Sequence, residues 1–170
     1  MQQIRRNVFE TNSSSSHSLV ILTDNIAKET ENDIYFTHAE MLASLHGLVK
    51  GVYKSSERSW YFGRSPFRAL NTFELKFQYA YACAWNYGRP ELVQLLQELV
   101  PEVKTFIPPE DAGTDDYLLS AWLNDCGITM KEFLTNKKYI VMQDGDEFNI
   151  WKDLKSSGLI NFNTIEHEEA

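Results

Sequence analysis

Only two cysteines occur in the 170 residues, Cys83 and Cys126, far apart and without CxxC spacing. Their scarcity argues against a disulfide or zinc framework, and both read as reduced core thiols. Long apolar runs are also missing: none approaches the roughly 18 residues of a membrane span, and the N-terminus, although it carries Arg5 and Arg6, lacks the apolar stretch of a signal peptide. The expectation is a cytoplasmic protein of a bacterial host cell, with no membrane partner. Positive charge is scarce too. Sixteen Lys and Arg stand against 24 Asp and Glu, a formal net charge of −8. The broad basic footprint of a duplex-DNA-binding protein is therefore absent, and any nucleic-acid contact has to be local.

What remains describes a packed globule. The chain is 43% hydrophobic and 13% aromatic, a composition unlike that of disordered segments. Its length suits one domain that buries roughly two thirds of its unfolded surface. A single α+β domain is expected over residues 1–165, with a flexible acidic tail at 166–170.

Periodicity and punctuation suggest the elements. Residues 3–22 read as strand, loop, strand, and residues 34–36 as a short strand. Met41, Leu42, Leu45, Leu48 and Val49 share one helical face, which predicts a helix over 38–50 that stops at Gly51. Ser65 as cap and Pro66 at the first position predict a long helix through Trp85, with Leu70, Phe73, Phe77 and Tyr81 on its apolar side. A second helix runs from Arg89-Pro90 to Val100. Residues 103–107 read as a strand, 116–126 as a helix ended by Gly127, and Thr129 with Glu132 as a capping box. Residues 139–142 form a buried-strand run, and a turn then leads to a final helix ending near Gly158. The expected sheet combines the N-terminal strand pair with 103–107 and 139–143, covered by helices centred near 77, 95, 121 and 151.

The most informative segment is Asn12-Ser13-Ser14-Ser15-Ser16-His17-Ser18, set between two apolar runs. Serine side chains bury little and compete with the backbone for hydrogen bonds, so this segment is expected to be a loop. Its hydroxyls and backbone N–H groups suit an oxyanion, with Arg5 and Arg6 as nearby charge. His17 is a candidate acid, base or phosphate donor, and Ser14 and Ser16 are candidate nucleophiles beside it; no GxSxG elbow is present. The bland alternative is an exposed turn that satisfies its own backbone.

Residues 6–18 resemble the opening of small proteins from bacterial phages and mobile elements, and residues 139–148 resemble a strand-and-turn segment near their C-terminus. The resemblance implies an accessory role in the contest between mobile element and host. It supplies no established reaction to carry over.

Two further groups have competing explanations. Asp144 and Asp146 follow a strand run and are candidate Mg²⁺ ligands, although a turn with helix capping is the stronger account of them. Trp60, Tyr61, Phe62, Arg64, Phe67 and Arg68 interleave aromatics with guanidinium groups, as in a surface that stacks unpaired bases, and Arg64 and Arg68 are counted as ligand-binding with Asn12, Ser13, Ser15 and Ser18. Core packing with arginines at the rim is the alternative. His38, His46 and His167 show no metal-ligand spacing. Two function classes follow: a counter-defence protein whose serine loop engages, with or without processing it, a nucleotide or RNA, and a non-enzymatic acidic inhibitor of a host defence protein, of the anti-CRISPR kind.

Overall fold

The computed structural model describes residues 16–22, 34–55, 68–83, 88–110, 118–144 and 160–161. Expectations for residues 3–11, Ser65 and Pro66, the helix after 147 and the tail at 166–170 lie outside them. Within the described residues the architecture is α+β, with two small sheets. None of these helices is long and apolar enough to cross a membrane.

Helix α1 (His38–Ser44) begins where the sequence provides a complete capping box: Glu40 N–H donates to Thr37 Oγ1, and Thr37 N–H donates to the Glu40 carboxylate at 2.7 Å. It is shorter than its apolar spacing suggests. Leu48 and Val49 leave the helix to form β2 (Leu48–Val49), which pairs with β3 (Val52–Lys54) across a Lys50-Gly51 turn. Both turn residues have positive φ, 49° and 82°, the backbone that a two-residue hairpin needs to match strand twist. Gly51 is thus a hairpin residue rather than a helix stop. Its carbonyl accepts N–H groups from Lys104 and Thr105, which fastens the turn to β5 (Thr105–Ile107). β5 pairs in parallel with β3 and closes a separate sheet of order β2-β3-β5. The expectation that 103–107 joins the same sheet as 139–143 is corrected here.

The other correction concerns the stretch expected to be helical from Pro66. Residues Arg68–Leu70 form strand β4, and helix α2 (Phe73–Ala82) starts only after Thr72, whose hydroxyl accepts the Leu75 N–H. Strand β6 (Tyr139–Asp144) supplies the partner that makes 68–70 extended. α2 is buried all round, not along one stripe. It packs against α1, helix α3 (Arg89–Leu99), helix α5 (Met130–Thr135) and β4. Phe77 and Tyr81 meet Phe106 of β5 edge-on at 5.4 and 5.1 Å, and Tyr53 of β3 stacks on the same ring at 5.5 Å. Helix α4 (Leu118–Cys126) adds the fully buried Trp122. Cys83 is buried and Cys126 half-buried.

Lys76 stands in the middle of this core with no exposed surface. Its ammonium donates to the carbonyls of Phe133, Asn136 and Tyr139 at 2.7, 2.7 and 2.8 Å, and lies over the rings of Phe36 and Phe133. Those carbonyls belong to α5, the turn after it and the start of β6, so one side chain ties the central helix to both elements. Three N–H bonds match three acceptors. Burial pushes the Lys76 pKa down from 10.5 to about 7, against the opposing pull of the Glu132 carboxylate.

Replacing Thr72 with Ala removes the α2 cap, and urea unfolding should register a loss of about 1 kcal/mol. Lys76→Met removes the ammonium shared by the Phe133, Asn136 and Tyr139 carbonyls and should cost about 3 kcal/mol. Because the folded pKa lies below the unfolded value, folding releases a proton between about pH 7 and 10.5. Wild-type stability relative to Lys76→Met should therefore rise with pH across that window and level off below it. A difference that stays flat from pH 6.5 to 9.5 would contradict the assigned direction.

Candidate functional site

β6 is the organising strand of the second sheet, whose order is β4-β6-β1-β7 with every pair antiparallel. Ile140, Val141 and Met142 are all buried, as the apolar run at 139–142 leads one to expect. On one side β6 pairs with β1 (Ser16–Leu22) and on the other with β4; the outer strand β7 (Ile160–Asn161) pairs with the far end of β1. Antiparallel pairing on both flanks has a geometric result. The C-terminal end of β6 meets the N-terminal ends of β1 and β4.

The register sets the composition of that end. Leu70, Val141 and Leu19 form an apolar row across the three strands. Two residues further along, and therefore on the same face, the row is Arg68, Gln143 and His17. Neighbouring strands lie about 4.8 Å apart, so the Arg68 and His17 backbones flank Gln143 with about 10 Å between them. Guanidinium, amide and imidazole are all hydrogen-bond donors, and the first is a permanent cation. Ser16 and Asp144 form the next row, on the opposite face.

This changes the reading of the serine segment. Ser16, His17 and Ser18 belong to a β-strand and not to a loop, because β6 offers them backbone partners at Asp144, Gln143 and Met142. Strand alternation then sets His17 on the face opposite Ser16 and Ser18, so neither serine is its same-face neighbour. Arg68 and Asp144 reach the same sheet end from distant parts of the sequence. Arg5, Arg6, Asn12, Ser13, Ser14, Ser15, Arg64 and Asp146 lie outside the described residues; Ser15 directly precedes Ser16, and Asp146 is two residues beyond Asp144. Among the described residues, no three His, Cys, Asp or Glu side chains are grouped as a metal would need.

Sequence reasoning missed a polar network on the other sheet. Glu74, in the first turn of α2, accepts the Tyr53 hydroxyl at 2.8 Å and lies 2.9 Å from His46 Nδ1, while Gln78 donates to the Tyr53 oxygen at 3.3 Å. The carboxylate orients an imidazole that is 80% exposed. His38 is paired similarly with Glu102, and that contact holds the Glu102 carboxyl below the usual carboxylate range. Nothing local announces these pairs, since each joins residues of different elements. Gln143 was passed over as part of a turn, and only its place between Arg68 and His17 gives it meaning.

Compared with known protein families, curated proteins and solved structures, the chain shows no significant match.

Proposed function

We propose that this chain is a phage or mobile-element accessory protein acting in counter-defence, and that it engages a phosphate-bearing ligand, a nucleotide or RNA, at the end of its four-stranded sheet. The observation that supports this reading is the cross-strand row of Arg68, Gln143 and His17. An oxyanion over that row meets a cation suited to phosphate, an amide donor and an imidazole. In this reading Arg68 supplies charge, Gln143 orients the anion, and His17 donates to a phosphate oxygen or moves a proton. The serine-rich residues that precede Ser16 add hydroxyl and backbone donors. Asp144 belongs to the row of the opposite face, so a Mg²⁺ held by Asp144 and Asp146 would meet the ligand around the strand end, if turnover accompanies binding.

The net charge of −8 supports a second reading, an acidic inhibitor that holds a basic host defence protein. The two differ in what the sheet end does. Binding should be measured with a labelled single-stranded RNA and with nucleoside triphosphates, with and without Mg²⁺, and the products analysed. Arg68→Ala and His17→Ala should each weaken binding about tenfold or more, the loss of one charge-assisted contact, while circular dichroism stays unchanged. Undiminished binding by the folded double variant would remove the sheet end from the site. Failure of the wild type to bind either probe, together with salt-sensitive inhibition of a defence system, would favour the acidic inhibitor.

A further inference from the structure

Helix α4 ends in a turn that leaves a cavity behind it. The Gly127 N–H donates to the Asn124 carbonyl and the Ile128 N–H to the Leu123 carbonyl, the paired bonds of a Schellman motif, with Gly127 at φ +66°. Thr129 then caps α5 by accepting the Glu132 N–H. The elbow thus satisfies backbone groups at its own turn, and what it turns toward α3 is side chain. The resulting cavity has a volume of about 550 Å³, with Leu95, Leu123, Ile128 and Met130 among its walls. A Cβ placed on Gly127 would meet nothing within 4 Å, so space is open at the turn itself.

The polar side chains that line the cavity are those of Ser120, Asn124, Thr129 and Lys131. Asn124 and Lys131 both border the cavity, and their side chains make no hydrogen bond or ion pair with another described residue. Lys131 is the one charged residue among the described residues that line it. The neighbouring Glu132 forms no ion pair with it; the Tyr35 hydroxyl and the Asn136 amide both donate to the Glu132 Oε1, at 2.9 and 3.0 Å. Volume, apolar walls and a small number of convergent polar groups are the properties of a small-molecule site.

We propose that this cavity binds a small organic acid with an aliphatic body, its chain against Leu95, Leu123, Ile128 and Met130 and its carboxylate at Lys131 and the Asn124 amide. The site lies at the α4–α5 elbow and is independent of the sheet-end reading. An apolar molecule without charge leaves Lys131 unused, and a purely polar anion leaves the walls wet, so the two halves of the ligand are both required.

Calorimetric titration of the full chain with decanoate and with decanol tests the assignment. Decanoate should bind at one site per chain, and decanol about tenfold more weakly. Lys131→Gln changes an exposed side chain and should abolish that preference while leaving decanol binding as it was. Ser120→Phe, which places a large ring at the cavity margin, should weaken both ligands about tenfold in a protein whose melting temperature is retained; if that variant does not fold, Lys131→Gln decides. The proposal is overturned if the wild type binds neither probe, if decanol matches decanoate, if Lys131→Gln keeps the preference, or if folded Ser120→Phe binds as tightly as the wild type.

Discussion

A lysine sealed inside an acidic protein holds the fold together. Lys76 projects from the most buried helix and places its three N–H bonds on carbonyls at the end of α5, in the following turn and at the start of β6. An apolar residue there would take the ammonium away from all three, and a shorter polar one would not reach them. This arrangement sets α2 against the junction of α5 and β6. The direction in which β6 leaves that junction then decides where everything on its two flanks ends up.

From β6 outward the consequences are mostly register. β6 pairs with β1 and β4 in a register that sets Gln143 opposite both His17 and Arg68. That pairing carries Arg68, Gln143 and His17 into one row. A polar row at the end of an apolar sheet costs little stability and is free to take on chemistry. The same division appears at the α4–α5 elbow, where turn and cap satisfy the backbone and leave side chains to shape the cavity.

The helix over 38–50 shows why a correct pattern can still mislead. Leu45, Leu48 and Val49 have helical spacing, yet Lys50 and Gly51 take the positive φ of a hairpin, and Leu48 pairs with Tyr53 while Val49 stands exposed. Leu70 is similar: it fits the apolar face of a helix, but a capping threonine follows it and β6 offers a partner, so it becomes a strand residue. Short apolar runs satisfy either period, and the choice falls to whichever partner is available in space. Lys76 left no trace of its role in the sequence, where it looks like any helical lysine.

The sequence by itself determined what acts over a few residues. Thr129 at the start of α5, Arg89-Pro90 at the start of α3, Gly127 after α4 and the apolar run at 139–142 all specify their structures locally, through caps, a fixed φ, a left-handed turn and β-branched packing. It also singled out Ser16, His17, Arg68 and Asp144 as chemically notable, without a relation among them. Only the tertiary structure decided that relation, along with the two-sheet division, the buried lysine and the elbow cavity. The physical reason is that backbone pairing and core packing join segments from opposite ends of the chain, and their free energy depends on the partner's position, which no local pattern encodes.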